Sequence, residues 1–435
     1  MPSGKEILEG FLLQNPSIKY IRLQWMDYSG VLRARFAPID RCLRIASGKE
    51  NACMAQAGML VPISTAPRIF SISDYHETWF LRPDWSSLRV CGFKSDHAAV
   101  MCFVDQKDAG ERFDKCPRNL LVRALEQLEK NWHTNVLVGF EIEFVLLDES
   151  DKVVKPLDRL NGYCRTAGLR AETLDLIEEI LEALERSAVK IHQFHAEAGE
   201  QLEIALAPEP AIEAIDSLIL TQEAIRTICI RRGIKATMTP KPVLDGDMNG
   251  LHLHLSLDKL DDTLAGNFLA GVLQHMTSLC AFGMANYDSY GRSVADCAGE
   301  WIGYGTDNRD LPVREVGHLH WEFRMMDGTA NPYLFTAGVL FAALDGLENK
   351  AELTWKDVKV FPHLLDEKGR IEYGINKRMP VTFAEALDSL RNNRALRAQI
   401  GGELLEWYMH VKDRDVEEFG RMTDEQRRLC FLGYF

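Results

Sequence analysis

Basic residues are in short supply: 50 lysines and arginines face 64 aspartates and glutamates, for a net charge of −14. A chain this acidic offers no general surface for nucleic acid or an anionic membrane, although its arginines can still gather around one anionic substrate. Long apolar runs are missing. The most apolar stretch, YLFTAGVLFAAL at 333–344, is too short to span a bilayer. The start, MPSGKEILEG, has no basic segment followed by an apolar one, so no signal peptide is expected. The ten cysteines are scattered and form no C-x-x-C pair. A disulfide framework fits poorly at this size, and reduced, mostly buried thiols in a cytoplasmic protein are expected. There is no internal repeat, low-complexity tract, P-loop or kinase signature. What remains is a chain of 435 residues, 46% hydrophobic, with material for two or three domains.

Its pattern reads as strands first and helices last. YIRLQWMDYSGVLRARFAP (20–38) reads as two strands joined by a D-Y-S-G turn, and 88–104 as further strands. Composition turns polar over 108–117, DAGERFDKCP, where a domain boundary is drawn. A helix is expected next, with Leu121, Ala124, Leu125 and Leu128 at helical spacing. Strands at 136–147 and 201–206 alternate with helices at 171–188 and 211–233, the second closed by Gly233. The strand NGLHLHLSL (249–257), a helix near 266–284 and the strand HWEFRM (320–325) follow, and the last hundred residues read as mainly helical.

Four of these strands share a peculiarity. Each has an apolar face, and a polar face built from Glu, His, Gln or Arg with no lysine. In GFEIEF, Glu141 and Glu143 oppose Phe140, Ile142 and Phe144. In QLEIAL, Gln201 and Glu203 oppose Leu202, Ile204 and Leu206; in the histidine strand, His252, His254 and Ser256 oppose leucines. In HWEFRM, His320, Glu322 and Arg324 oppose Trp321, Phe323 and Met325. The plain alternative is an antiparallel sheet with one wet face. However, neighbours on one strand face lie about 7 Å apart, and partly buried glutamates at that spacing need a cation between them.

The candidate ligands are Glu141, Glu143, Glu203, Glu322 and His252, with Glu197 in the loop before QLEIAL. Carboxylate oxygens favour hard ions such as Mg²⁺ or Mn²⁺, and this many suggest more than one ion, an arrangement suited to phosphoryl chemistry. The H-x-H pair alone also fits a cupin or a metal-dependent amidohydrolase. Leu257, Asp258 and Lys259 stand where a cupin wants its glutamate, and an amidohydrolase carries H-x-H near its start. Arg292, Arg309 and Arg314 precede Arg324. They read either as charge balance or as clamps for phosphate and carboxylate. The residues themselves support metals plus an anionic substrate.

Beyond that point the chain resembles the glutamine synthetase family, in its type-I-like branch. It looks especially like the synthetase-like domain of a fungal developmental regulator, here expected without the amidohydrolase domain fused to it there. The matching stretches include YIRLQWMDYSGVLRARFAP, FLRPDWSSLR, GFEIEF, NGYCRTAGLR, FHAEAGEQLEI, KPVLDGDMNGLHLHLSL, GTDNRDLPVR, HWEFR and DGTANPYL. The resemblance implies an α+β fold: a β-grasp domain over 1–110, then a catalytic domain over 111–435 whose curved antiparallel sheet is flanked by helices. It also implies a homo-oligomer of stacked hexamers, and small-molecule substrates: ATP, glutamate or an analogue, and an amine. Glu143, Glu197 and Glu203 match the ligands of one metal, and Glu141, His252 and Glu322 those of the other. Arg292 and Arg324 match residues that hold glutamate and its phosphorylated intermediate, and Arg309 the arginine on the transferring phosphoryl group. Arg314, His254, Ser256 and His320 fall at nucleotide positions. Asn249, Gly250 and Tyr163 fall at substrate positions.

The pattern also breaks. The family's flap, P-G-Y-E-A-P, carries a glutamate that deprotonates ammonium; here the loop is S-V-A-D-C-A-G-E-W, leaving Asp296 or Glu300 as out-of-register candidates. Glu197-Ala-Gly-Glu-Gln-Leu-Glu203 is one residue shorter than the family's E-x-x-P-G-Q-x-E. D-M-N-G-L-H replaces G-S-G-M-H, Gly291 stands in S-Y-K-R, and His320 replaces a common arginine. The family's D-G-S-S segment, which helps bind ammonium, is absent, and GMLVPISTAPRIF (58–70) is apolar. A larger, less polar amine is therefore expected as acceptor. The expected function is an ATP- and Mg²⁺-dependent ligase joining glutamate's γ-carboxylate to an amine. The alternatives are a catalytically impaired ring protein with a regulatory role, and authentic glutamine synthesis.

Overall fold

The computed structural model describes residues 2–64, 77–106, 113–156, 158 and 162–435. Two sheets organise it. The smaller has six strands: β1 (Tyr20–Met26), β2 (Leu32–Pro38), β3 (Ala52–Ala55), β4 (Thr78–Pro83), β5 (Arg89–Val90) and β6 (His97–Asp105). β1 and β2 form the expected antiparallel hairpin, turning at Gly30 with φ of 81°. β1 also pairs parallel with β6, the β-grasp signature of first and last strands side by side. Helices α1 (Gly4–Gln14) and α2 (Ile39–Ala46) belong to this part of the chain. Ser3 and Glu6 close a reciprocal capping box on the first of them.

The larger sheet has nine strands: β7 (Val136–Leu147), β8 (Ile191–Ala196), β9 (Gln201–Leu206), β10 (Glu209–Pro210), β11 (Lys235–Thr237), β12 (Leu251–Leu257), β13 (Tyr304–Thr306), β14 (Val313–Gly317) and β15 (His320–Phe323). Its main order is β13-β14-β15-β12-β7-β9-β8, so the four strands singled out from their faces are contiguous. Pairing is antiparallel throughout except between β13 and β14, which run parallel. β8, β13 and β14 are short and partly exposed, with little alternation to betray them, and were not expected from the sequence.

Ten further α-helices lie among the described residues: α3 (Pro117–Trp132), α4 (Glu172–Arg186), α5 (Ala211–Arg231), α6 (Asp262–Gly283), α7 (Pro332–Glu348), α8 (Glu367–Tyr373), α9 (Phe383–Asn392), α10 (Arg394–Ile400), α11 (Gly402–Phe419) and α12 (Asp424–Leu432). Gly233 follows α5 at φ 75°, the left-handed stop expected of it. α6 begins earlier than its apolar periodicity implied, because Asp261 caps it. The apolar stretch 333–344 lies in α7, which is buried on nearly every side, as a helix without a polar face must be. α6 and α7 cross at Gly271 and Gly346; a Cβ on Gly271 would lie 2.3 Å from the carbonyl oxygen of Ala342.

The two parts of the chain are tied by buried groups. Arg118 on α3 reaches Asp84 at 2.6 Å and also binds Asp216 on α5. Trp79 on β4 stacks on Trp407 of α11, with ring centroids 5.1 Å apart. The boundary drawn at 110/111 lies outside the described residues. Residues 58–64 of the apolar loop are described, and Met59, Leu60 and Ile63 are buried in the chain's own cores; residues 65–70 lie outside the described residues. All ten cysteines are free, and six are buried. No helix among the described residues is long and apolar enough to cross a membrane.

Candidate active site

Strand register brings the polar faces together. Glu203 on β9 pairs with Glu143 on β7 and with His195 on β8. One step along β7, Glu141 pairs with His252 on β12. Next, His254 pairs with Glu322 on β15, which pairs with Arg314 on β14. Cross-strand partners on one face lie about 5 Å apart, so residues remote in sequence form rows of ligands. Behind them Phe140, Ile142, Phe144, Leu202, Ile204, Leu253 and Leu255 are buried and fix the face that the polar residues must take.

The polar rows line a cavity of about 770 Å³. Its wall includes Glu141, Glu143, Glu197, Glu203, His252, His254, Ser256, Glu322, Tyr163, Asp296, Arg309, Arg314, His320 and Arg324, all expected from the sequence. Leu137, Gly139, Leu206, Pro208 and Val316 make an apolar stretch of the same wall. Four expected residues stand apart from the described lining. Arg292 is buried, with its two Nη groups donating to the carbonyls of Met326 and Arg324 at 2.9 Å each. Asn249 is buried and donates to the carbonyls of Thr237 and Thr239. The Gly250 N–H donates to Glu143 Oε2 at 2.6 Å. Glu300 lies near the end of the same loop as Asp296 but outside the lining, and its carbonyl accepts from the Met379 N–H at 2.9 Å. These positions are taken by internal hydrogen bonds, which motif matching alone cannot reveal.

Two clusters can hold cations. His195, Glu197 and Glu203 bring ligand atoms within 4.8 Å of one another, and so do Glu141, His254 and Glu322. His252 joins the second cluster: its Nδ1 is 3.1 Å from Glu141 and 3.2 Å from Glu322, and its Nε2 is 3.6 Å from Glu143. His254 Nε2 is 3.2 Å from Glu141, while its Nδ1 is 3.0 Å from His320 Nε2. Glu143 accepts from Gln201 Nε2 at 2.8 Å, which orients it. Carboxylates outnumber imidazoles among these donors, which suits a hard divalent ion such as Mn²⁺ or Mg²⁺.

Charge is concentrated here. Burial opposes ionisation of Glu322, yet the hydrogen bond from His252 and the charge of Arg324 hold it well below the usual carboxylate range. Burial likewise opposes Glu141, and bonds from His252 and His254 outweigh it. Glu203 goes the other way, raised by burial first, and the neighbouring carboxylates Glu141 and Glu143 add to the rise. The Glu203 hydrogen bond lifts His195 to about 9. His195 escaped the sequence reading, although FHAEAGEQLEI contains it, because β8 alternates too weakly to set its face.

The sequence profile described as "Glutamine synthetase, catalytic domain" matches residues 114–429. The chain belongs to the glutamine synthetase family. It is 30% identical to Protein fluG of Emericella nidulans over 98% of this chain, which spans 50% of that longer protein. It is 27% identical to Type-1 glutamine synthetase 1 of Dictyostelium discoideum, over 100% of this chain and 93% of that one. A GmaS/ADP complex superposes with a TM-score of 0.81 at 23% identity, covering 97% of this chain and 98% of the other. A novel glutamine synthase homolog superposes with a TM-score of 0.79 at 24% identity, over 96% and 99% of the two chains. These structures share the α+β glutamine synthetase fold, with the small β-grasp sheet preceding the larger one.

Proposed function

We propose that the protein is an ATP-dependent ligase that joins the γ-carboxylate of glutamate, or a close analogue, to an amine through a γ-glutamyl phosphate. One observation carries this reading. In a glutamine synthetase family member, carboxylates, histidines and three arginines converge on one cavity of about 770 Å³, a volume within the range of ligand sites. Glu143, Glu197 and Glu203, with His195 beside them, would hold one divalent ion; Glu141, His252 and Glu322, with His254, would hold a second. Bound there, Mg²⁺ or Mn²⁺ neutralises charge on the phosphate oxygens.

The chain's own residues do the rest. Arg314, anchored on Glu322 at 2.9 Å, and the His254–His320 pair flank the nucleotide. The apolar wall at Leu137, Leu206 and Pro208 offers a flat rest for its base. Arg309 faces the cavity and stabilises charge on the transferring phosphoryl group. Arg324, held by Glu322 and by the Cys297 carbonyl, takes substrate carboxylate or phosphate oxygens. Arg292 serves from behind, fixing the backbone at Arg324 and Met326. The enzyme is read as a cytoplasmic homo-oligomer of stacked hexamers, with the 1–110 and 111–435 segments as its two domains.

The test is direct. Protein with Mg²⁺, ATP, glutamate and a panel of amines that includes ammonium should release phosphate and form a γ-glutamyl amide identified by mass. Silence across the panel, with nucleotide still bound and assembly intact, would favour the regulatory ring protein. Ammonium outperforming every organic amine would instead indicate glutamine synthesis.

A further inference from the structure

A relay of hydrogen bonds leads from Glu143, on the cavity wall, into a second, smaller core. Glu143 Oε2 accepts from the Gly250 N–H at 2.6 Å and from Gln201 Nε2 at 2.8 Å. Both donors hold the same oxygen, so Oε1, 3.6 Å from His252 Nε2, is the one left for an ion. Gln201 is 2% exposed, and its Nε2 also donates to Asn249 Oδ1 at 3.0 Å. Asn249 is fully buried, and its Nδ2 donates to the carbonyls of Thr237 at 3.2 Å and Thr239 at 3.0 Å. Thr237 Oγ1 then donates to the Phe435 main-chain oxygen at 2.7 Å, which also accepts from the Met238 N–H at 3.0 Å. Phe435 shares its core with Ile63, Phe419 and Phe431, and Val31 of the β1–β2 turn packs against them.

The polarity of the relay is fixed at its outer end. Backbone carbonyls only accept, so Asn249 must turn its amino group to Thr237 and Thr239 and its oxygen to Gln201. That oxygen requires the amino group of Gln201, which therefore faces Glu143 as a donor. A reversed Gln201 would set its own oxygen against the Glu143 carboxylate and break both bonds. Gln201, Asn249 and Thr237 are all buried, where an unmade hydrogen bond costs about 1–3 kcal/mol. A shift at Phe435 is therefore passed inward instead of being taken up by water.

Resting on the reading of Glu143 as an ion ligand, we infer that Gln201, Asn249 and Thr237 are positioning residues, and that docking of α12 and Phe435 is coupled to divalent-ion binding at Glu143, Glu197 and Glu203. With Phe435 in place, the segment 237–239 holds Asn249, and the relay presents Glu143 Oε1. With Phe435 displaced, Thr237 Oγ1 and the Met238 N–H lose their acceptor, and the carbonyls that orient Asn249 are no longer held. The coupling runs both ways. Whatever factor undocking takes from ion affinity, a bound ion adds to the docking equilibrium.

The test pairs Mn²⁺ titration calorimetry with hydrogen exchange, on the full chain without nucleotide and well below the melting temperature of each variant. Thr237→Val keeps the side chain's shape and removes its hydroxyl, at a position separated from Glu143 by Asn249 and Gln201. It should weaken Mn²⁺ binding by about tenfold, and Gln201→Leu by up to about 100-fold, the range for partners that orient a ligand. Thr237→Ser should restore wild-type affinity. In the wild type, saturating Mn²⁺ should slow exchange at Met238 and over residues 431–435 by about the same tenfold factor, with α1 unchanged. Wild-type affinity in Thr237→Val, a loss that Thr237→Ser does not recover, or equal slowing in α1 would overturn the coupling. If the wild type binds no Mn²⁺, or Glu143→Gln binds it as tightly, the ion-ligand reading falls and this inference falls with it.

Discussion

Glu141 on β7 and His252 on β12 are register partners, and the imidazole Nδ1 lies 3.1 Å from the Glu141 carboxylate. Burial and the charge of Arg324 oppose protonation of this imidazole, yet its hydrogen bonds to Glu141 and Glu322 raise its pKa to about 9. The same donors become ion ligands once the histidine is neutral.

Metal should therefore stabilise the fold. Adding Mn²⁺ or Mg²⁺ at a hundred times its dissociation constant should contribute about 2.7 kcal/mol, read as a rise in Tm that a chelator reverses. Glu143→Gln with Glu203→Gln should abolish the rise. If the double variant responds like the wild type, the ion binds elsewhere.

His195 bridges Glu203 at 3.2 Å and Glu197 at 3.5 Å. Its replacement by Ala should weaken Mn²⁺ binding at that cluster by about 10- to 100-fold, as loss of a ligand's supporting partner does. Calorimetric titration with Mn²⁺ measures this directly, and unaltered affinity would remove His195 from the site.

Arg309 faces the cavity and has no structural ion pair among the described residues. Arg309→Ala should cut phosphoryl transfer by on the order of 100-fold or more, while assembly and melting temperature stay at wild-type values. The readouts are ADP formation and size-exclusion chromatography. A variant that loses assembly along with turnover would point to a structural role.

Asp27, at the β1–β2 turn, accepts from Ser29 and Val31 N–H at 2.9 Å each and from Arg33 at 2.8 Å, yet burial raises it to about 6. The folded state then binds more protons than the unfolded one between about pH 4 and 6. Its contribution is fully present below about pH 4 and is lost as pH rises through 6, a change on the order of 3 kcal/mol. Denaturant unfolding of wild type and Asp27→Asn across pH 4 to 7 should show their difference in stability narrowing as pH rises. A difference independent of pH would mean that Asp27 is not the group responsible.

Local pattern determined the long elements and the faces of the strands. Alternating leucines in LHLHLSL, or phenylalanines and isoleucine in GFEIEF, leave only one face for the polar residues, and Gly233 marks a helix end because few other residues tolerate its φ. Those faces, with the ordered motifs, were enough to name the family and most of the cavity wall. Tertiary structure decided what depends on register and on distant partners. It brought His195 to Glu203 from a weakly patterned edge strand, and it turned Arg292 and Asn249 inward onto backbone carbonyls. It also chose Asp296 over Glu300 for the wall and set buried Asp310 behind it. A side chain's face follows from the period of its own strand, but its neighbour across the sheet follows from pairing, which no single segment encodes.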